Sequence, residues 1–273
     1  MITVLAGITR LFDLLLAPFA RMSPWIGLIV ASALSGVVLL LVFRYASHQR
    51  RLRAAKDRVM AHLLEVVLYR DDPRVVLRAQ ARLLRDNLRY LGHTLLPLAV
   101  MVLPAVLLII QLDLHYGRRP LRVGEHTILA VKVLPRAASL DGVSISVPPG
   151  VEVDTPALRV PSEHEVDWRL VARKSGVHQV RIRAGGREFV KEVVVAERGG
   201  PLAQERGSRD LRTQFLHPGE PPLPRGAAVA SVRVTYPRAT LPLGRWRLYW
   251  LWPWLVISMA VGYALRGPLR VQL

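Results

Sequence analysis

The 273-residue sequence has no cysteine, which excludes a disulfide framework, although a core of this size forms without one on either side of a membrane. It is short of acids: 20 Asp+Glu stand against 38 Lys+Arg, a net charge of +18. The signatures of common catalytic sites are missing too. No HExxH, P-loop, GxSxG or helix-opening GxGxxG occurs, and the eight histidines (His48, His62, His93, His115, His126, His164, His178, His217) are scattered. No nucleophile and base can be named, so no enzyme is expected, nor any cofactor or metal. The basic residues are spread over every segment with no aromatic-studded patch, which argues against single-stranded nucleic acid and for no DNA partner.

What is present is apolar. The composition is 51% hydrophobic, and three runs stand out: Trp25 to Phe43, Thr94 to Leu112, and Trp250 to Leu265. Nineteen residues at 1.5 Å each give roughly 28 Å, close to the hydrocarbon thickness. The three runs are therefore expected to be transmembrane helices over 24–43, 94–112 and 246–265, the last with a girdle of Trp246, Tyr249, Trp250, Trp252 and Trp254 at one interface. Ahead of them, Leu5, Ile8, Leu11, Phe12, Leu15 and Leu16 recur at helical spacing with Thr9, Arg10 and Asp13 elsewhere on the wheel. Residues 1–23 thus read as an amphipathic interfacial helix rather than a secretory signal, whose apolar stretch Arg10 and Asp13 would break.

Between the first two runs, residues 44–93 carry twelve Lys+Arg against five acids. By the bias of basic residues toward the cytoplasm, this loop is expected to be cytosolic and residues 113–245 extracytoplasmic, with 266–273 a cytosolic tail. Leu52, Ala55, Val59, Leu63 and Val66, then Leu77, Ala81, Leu84, Leu88, Leu91 and Leu95, recur every three or four residues on either side of Asp72-Pro73. Two helices so joined fold back seam to seam as a coiled-coil-like hairpin. Its charge suits lipid head groups or ribosomal RNA, or serves only as a solvated topology determinant.

An outer amphipathic helix, a span ending in Arg44, a charged cytosolic hairpin and a second span holding Pro97 and Pro104 together resemble the YidC/Oxa/Alb insertase superfamily, in its three-span archaeal and endoplasmic-reticulum forms. The resemblance implies a membrane-protein insertase or chaperone working in protein transport. Its partners would be membrane lipids, the hydrophobic segments of client proteins and the ribosome, and a polar groove would open to the cytosol within the bilayer. It makes Arg44 the candidate groove cation, or else a plain topology anchor. Ser32 and Ser35 beside Gly36, Gln111 and Ser258 are candidate polar walls, or serve helix packing.

The outer segment departs from that family. Residues 121–198 alternate in short runs such as HTILAVKVL, HEVDWRLVAR, VHQVRIRA and EFVKEVVVAE, with Gly185-Gly186 as a tight hairpin between the last two. The expected fold class is therefore a multi-pass α-helical membrane protein, three spans plus a cytosolic hairpin, with an inserted all-β, immunoglobulin-like sandwich. Residues 199–227 read as a Gly/Pro-rich linker and 228–238 as a strand returning to the sandwich. Glu163, His164, Glu165 and Asp167 read as an exposed polar strand that alternates faces. The alternative to an insertase is a non-catalytic adaptor of the bacterial inner membrane, whose β-domain meets an envelope protein.

Overall fold

Alternation of apolar and polar residues is what a half-buried strand requires, and it recurs from residue 126 onward. The computed structural model describes residues 2–19, 22–47, 73–135, 139–197, 199–269 and 271. The first arm of the expected helical hairpin and its turn lie outside the described residues. The helices are α1 (Ile2–Leu16), α2 (Pro24–Ala46), α3 (Pro73–Tyr116), α4 (Leu211–Leu216) and α5 (Leu251–Leu265). The strands are β1 (His126–Val133), β2 (Ser144–Ser146), β3 (Val151–Val153), β4 (Leu158–Val160), β5 (Glu165–Ala172), β6 (Gly176–Ala184), β7 (Arg187–Val195), β8 (Glu205–Gly207), β9 (Val229–Val234), β10 (Leu241–Leu243) and β11 (Trp246–Leu248).

The expected fold class is overturned. Among the described residues the chain is mixed, with five helices and eleven strands in antiparallel sheets, and two helices rather than three are long and apolar enough to cross a membrane: Pro24–Ala46 and Pro97–Tyr116. The third run fails on length. Residues Trp246–Leu248 of the expected 246–265 span pair with Leu241–Leu243 as a hairpin, so the helix starts only at Leu251 and its 15 residues reach about 22 Å, short of the roughly 30 Å core. Gly267 and Pro268 follow it and prevent its extension. The two longer helices expose apolar surface that a soluble core would cover: Leu34 is 50% exposed, Val102 59% and Leu103 67%.

The chain divides into two units, Met1–Leu28 with Ile109–Trp250, and Ile29–Leu108 with Leu251–Leu273. In the first unit, two antiparallel sheets share one core. The larger runs β3-β5-β1-β9-β8 with β4 also on β5; the smaller runs β2-β6-β7. Leu129, Val131 and Trp168 from the larger meet Val180, Ile182 and Phe189 from the smaller. Gly185 and Gly186, at φ 57° and 71°, join β6 to β7, because a two-residue turn matched to strand twist needs positive φ at both positions. Glu165 and Asp167, two residues apart, share a face of β5. Burial raises both above the usual carboxylate range; the charge of Asp167 adds to this for Glu165, whereas for Asp167 the hydrogen bond with Glu165 opposes it.

Residues 199–227 are built into this unit. They carry β8 and α4, and they insert Leu202 and Leu223 into the core. They also close the outward edge of β7. Lys191, with a fully buried side chain, donates to the Ala203 carbonyl at 2.7 Å and pairs with Glu220. Arg206 donates to the Val190 carbonyl. Tyr236, beyond β9, accepts from Val194 N–H at 2.9 Å and donates toward the Glu192 carbonyl. An unpaired strand edge invites other chains; here side chains and the strap occupy it.

In the second unit, Leu40 and Phe43 of α2 form a small core with Val271, covered by Met101 of α3 and by Leu265 and Leu269. The midpoint of α2 meets α5 with almost nothing between them. A Cβ built on Gly36 would lie 2.5 Å from the Ser258 carbonyl oxygen and 3.2 Å from its Cα. Small residues are what let two helix backbones come this close.

Candidate functional site

Polar residues inside an apolar helix are expensive at membrane depth and are kept for a reason. The last turns of α3 read Gln111-Leu-Asp113-Leu-His115-Tyr116. Residues 111 and 115 are four apart and share one face, whereas 113 lies on the other. On α1, Thr9 and Asp13 repeat the four-residue spacing. The two pairs meet rung by rung: Gln111 Nε2 donates to Thr9 Oγ1 at 3.1 Å, and His115 Nε2 lies 3.1 Å from Asp13 Oδ1. Because both numbers rise together, α1 and the end of α3 run parallel here.

Each partner is held from behind. Thr9 Oγ1 donates to the Leu5 carbonyl at 3.1 Å, which leaves its lone pairs for Gln111. His115 Nδ1 lies 2.9 Å from the Gln111 carbonyl; a carbonyl only accepts, so Nδ1 carries the proton and Nε2 faces the carboxylate. The His115–Asp13 contact has ion-pair distance without hydrogen-bond alignment, as both atoms lack an aligned partner. Gln111 is fully buried, and its Oε1 has no hydrogen-bond partner among the described residues.

The other face of α3 is tied to the segment before α5. Asp113 Oδ1 accepts from Tyr249 OH at 2.7 Å and from Trp250 Nε1 at 3.2 Å. Burial, reinforced by that bond to Asp113, raises the Tyr249 hydroxyl. One residue on, Leu202 N–H donates to the Leu114 carbonyl at 2.8 Å. Beside Asp113, a shallow open recess is lined in part by Leu114, Gln204, Glu205, His217 and Gly219. Glu205 is engaged by Arg233 at 2.9 Å. No group of three His, Cys, Asp or Glu suited to a metal occurs among the described residues, and the hydrogen bonds of this collar join α3 to α1, to Leu202 and to Tyr249 and Trp250.

The chain leaving α3 is braced as well. Arg119 grips Glu125 through two bonds of 2.8 Å, and Arg122 N–H adds a third at 3.0 Å. These hold the Glu125 carboxyl well below the usual carboxylate range, at about 2. A depressed carboxyl stabilises the fold above its unfolded pKa and loses that contribution as pH falls through the folded one. Acid titration of stability is therefore expected to fall between roughly pH 4.3 and pH 2, and Glu125→Gln is expected to flatten that part of the profile. Circular dichroism melts across the same pH range measure it.

The residues singled out from sequence fall in different places. Ser32, Ser35 and Ser258 lie in the second unit and are buried, at 0%, 2% and 5% exposure. Ser35 donates to the Ala31 carbonyl at 2.7 Å and Ser258 to the Leu255 carbonyl at 3.1 Å, each satisfied within its own helix. Arg44 is exposed in the last turn of α2, where a cation complements the helix dipole. Gln111 is in the first unit, in the collar. Sequence reasoning missed its companions Thr9, Asp13 and His115, whose only signal was the four-residue spacing of polar residues in apolar helices. Comparison with protein-family models, with curated proteins and with solved structures finds no match, so the chain's fold and site rest on its own residues.

Proposed function

We propose that the protein is a non-catalytic membrane adaptor that anchors through α2 and the apolar part of α3 and presents its β-sheets to another envelope protein. The observation that carries this reading is the contact of Gly36 with Ser258, flanked by Ser32 and Ser35 bonded or buried within the packing. A seam closed at backbone distance supports a packed anchor over a polar path between α2 and α5. The collar supports it from the other side, since Asp113, Leu114 and His115 tether the end of a candidate span to the β-rich unit. The basic excess of residues 44–93 supports a cytosolic loop, with 113–245 outside a bacterial cytoplasmic membrane.

One observation favours the insertase reading instead: Gln111 Oε1, buried without a partner in a candidate span, is the kind of group a translocating polar segment would meet. Cysteine accessibility separates the two. In the naturally cysteine-free chain, single cysteines at positions 32, 35, 44 and 258 are probed in inside-out vesicles with a membrane-impermeant thiol reagent. The adaptor reading expects reaction at 44 alone. Reaction at 32 or 35 means a water-filled groove, and client insertion becomes the function.

A further inference from the structure

A two-stranded hairpin is at best marginally stable in water, yet β10 and β11 form one, Leu241 pairing with Leu248 and Leu243 with Trp246. Its turn is Gly244-Arg245, with Gly244 at φ 57°, which is the position a turn with glycine first demands. The base is docked: Leu241 is buried, and Trp25 Nε1 donates to the Pro242 carbonyl at 2.8 Å. The tip is not. Leu243 is 54% exposed and Trp246 73%, and by the two-residue period they share the face of buried Leu241, while Arg247 lies opposite Pro242 on the other face. Arg245 occupies the turn, and from residue 221 to the C-terminus the chain has no acid at all.

We propose that this hairpin is a lipid-binding finger: Leu243 and Trp246 enter the interfacial layer of a membrane while Arg245 and Arg247 take the phosphates of anionic phospholipid headgroups. The choice of occupant rests on the membrane reading above and on two further observations. Trp25, which holds the base, is in the first turn of the candidate span α2, and the apolar helix α5 begins three residues after Leu248. The finger is thus tied by a hydrogen bond and by the chain to the segments that would meet the bilayer. An amphipathic indole beside arginines is the side-chain chemistry that the headgroup level favours.

The test uses the full chain reconstituted in phosphatidylcholine vesicles with or without phosphatidylglycerol. Leu243→Cys carries an environment-sensitive fluorophore, and Leu34→Cys, on the exposed face of α2, carries the same label in a parallel sample. The proposal expects position 243 to emit at shorter wavelength, to resist aqueous iodide and to be quenched by nitroxide-labelled lipid once phosphatidylglycerol is present. Arg245→Gln and Arg247→Gln are each expected to reduce that shielding about fivefold, the partition factor of one cation near an anionic leaflet. Free access of iodide to 243 while 34 stays quenched by deep nitroxide overturns the finger and leaves the membrane reading standing. Iodide access at 34 overturns both. Shielding at 243 that ignores phosphatidylglycerol and both arginines assigns the tip to a protein contact and overturns the proposal.

Discussion

Glu220→Ala is expected to destabilise the protein by about 3–5 kcal/mol, the cost of stripping one member from a buried ion pair. Lys191 is completely buried, and with Glu220 gone its ammonium keeps only the Ala203 carbonyl. Burial already pushes Lys191 down and Glu220 up, each toward its neutral form, and the partner's charge and hydrogen bond are the largest influences opposing this. The double replacement Lys191→Met with Glu220→Leu is expected to recover most of the loss, since it fills the same volume without desolvating a charge. Denaturant unfolding of the three proteins measures both. A change within about 0.5 kcal/mol for Glu220→Ala, the range of ordinary surface substitutions, would mean that the strap over β7 is not held by this pair.

The second large effect concerns Gly36. A methyl group there meets backbone atoms of Ser258 at 2.5 and 3.2 Å, and backbone cannot rotate away as a side chain does. Gly36→Ala is expected to force α2 and α5 apart, at about 1–3 kcal/mol, and Gly36→Leu to exceed that range. Gly7 of α1 supplies the contrast, with nothing within 4 Å of its would-be Cβ; Gly7→Ala is expected to be neutral or to stabilise by up to about 1 kcal/mol through helix propensity. Thermal melts rank the variants. Thiol reactivity at position 258 reports the seam itself, silent with Gly36 in place and reactive with leucine there.

Much of the β-rich unit was legible because a period of two in a chain of valines and isoleucines has one structural meaning. HTILAVKV, EVDWRLVA and GVHQVRIRA became β1, β5 and β6, and the adjacent glycines at 185 and 186 became their hairpin's successor turn into β7. The amphipathic spacing of the N-terminal segment likewise gave α1. The third apolar run is a helix as read, Leu251–Leu265, but the 246–265 span was drawn too long, because three residues carry no period that separates strand from helix. Trp246–Leu248 is a strand only because Leu241–Leu243, across a glycine turn, offers it a partner. Residues 199–227 were opaque for a different reason. Their prolines and glycines signal loop locally, while their order comes from Lys191 and Glu220, 29 residues apart, and from two leucines reaching a distant core.

The candidate site was half legible. Gln111 stood out as an amide in an apolar run, and the serines beside Gly36 were recognisable as small residues at helix spacing. Where the serines pack depends on α5, which no pattern within α2 specifies. Thr9 and Asp13 looked like the wet side of an interfacial helix, and their match to Gln111 and His115 exists only once two segments a hundred residues apart lie side by side.

The closed edge of β7 has a bearing on how any envelope partner would be read. Three successive outward carbonyls, of Val190, Glu192 and Val194, are taken by Arg206, by Tyr236 and by Leu121 N–H. An incoming chain therefore finds no ladder to extend along this strand, and recognition by strand addition is barred there. Selectivity at that side of the sheet falls to side-chain shape and charge, and so it will drift with single substitutions on the surface rather than persist as a backbone habit indifferent to sequence.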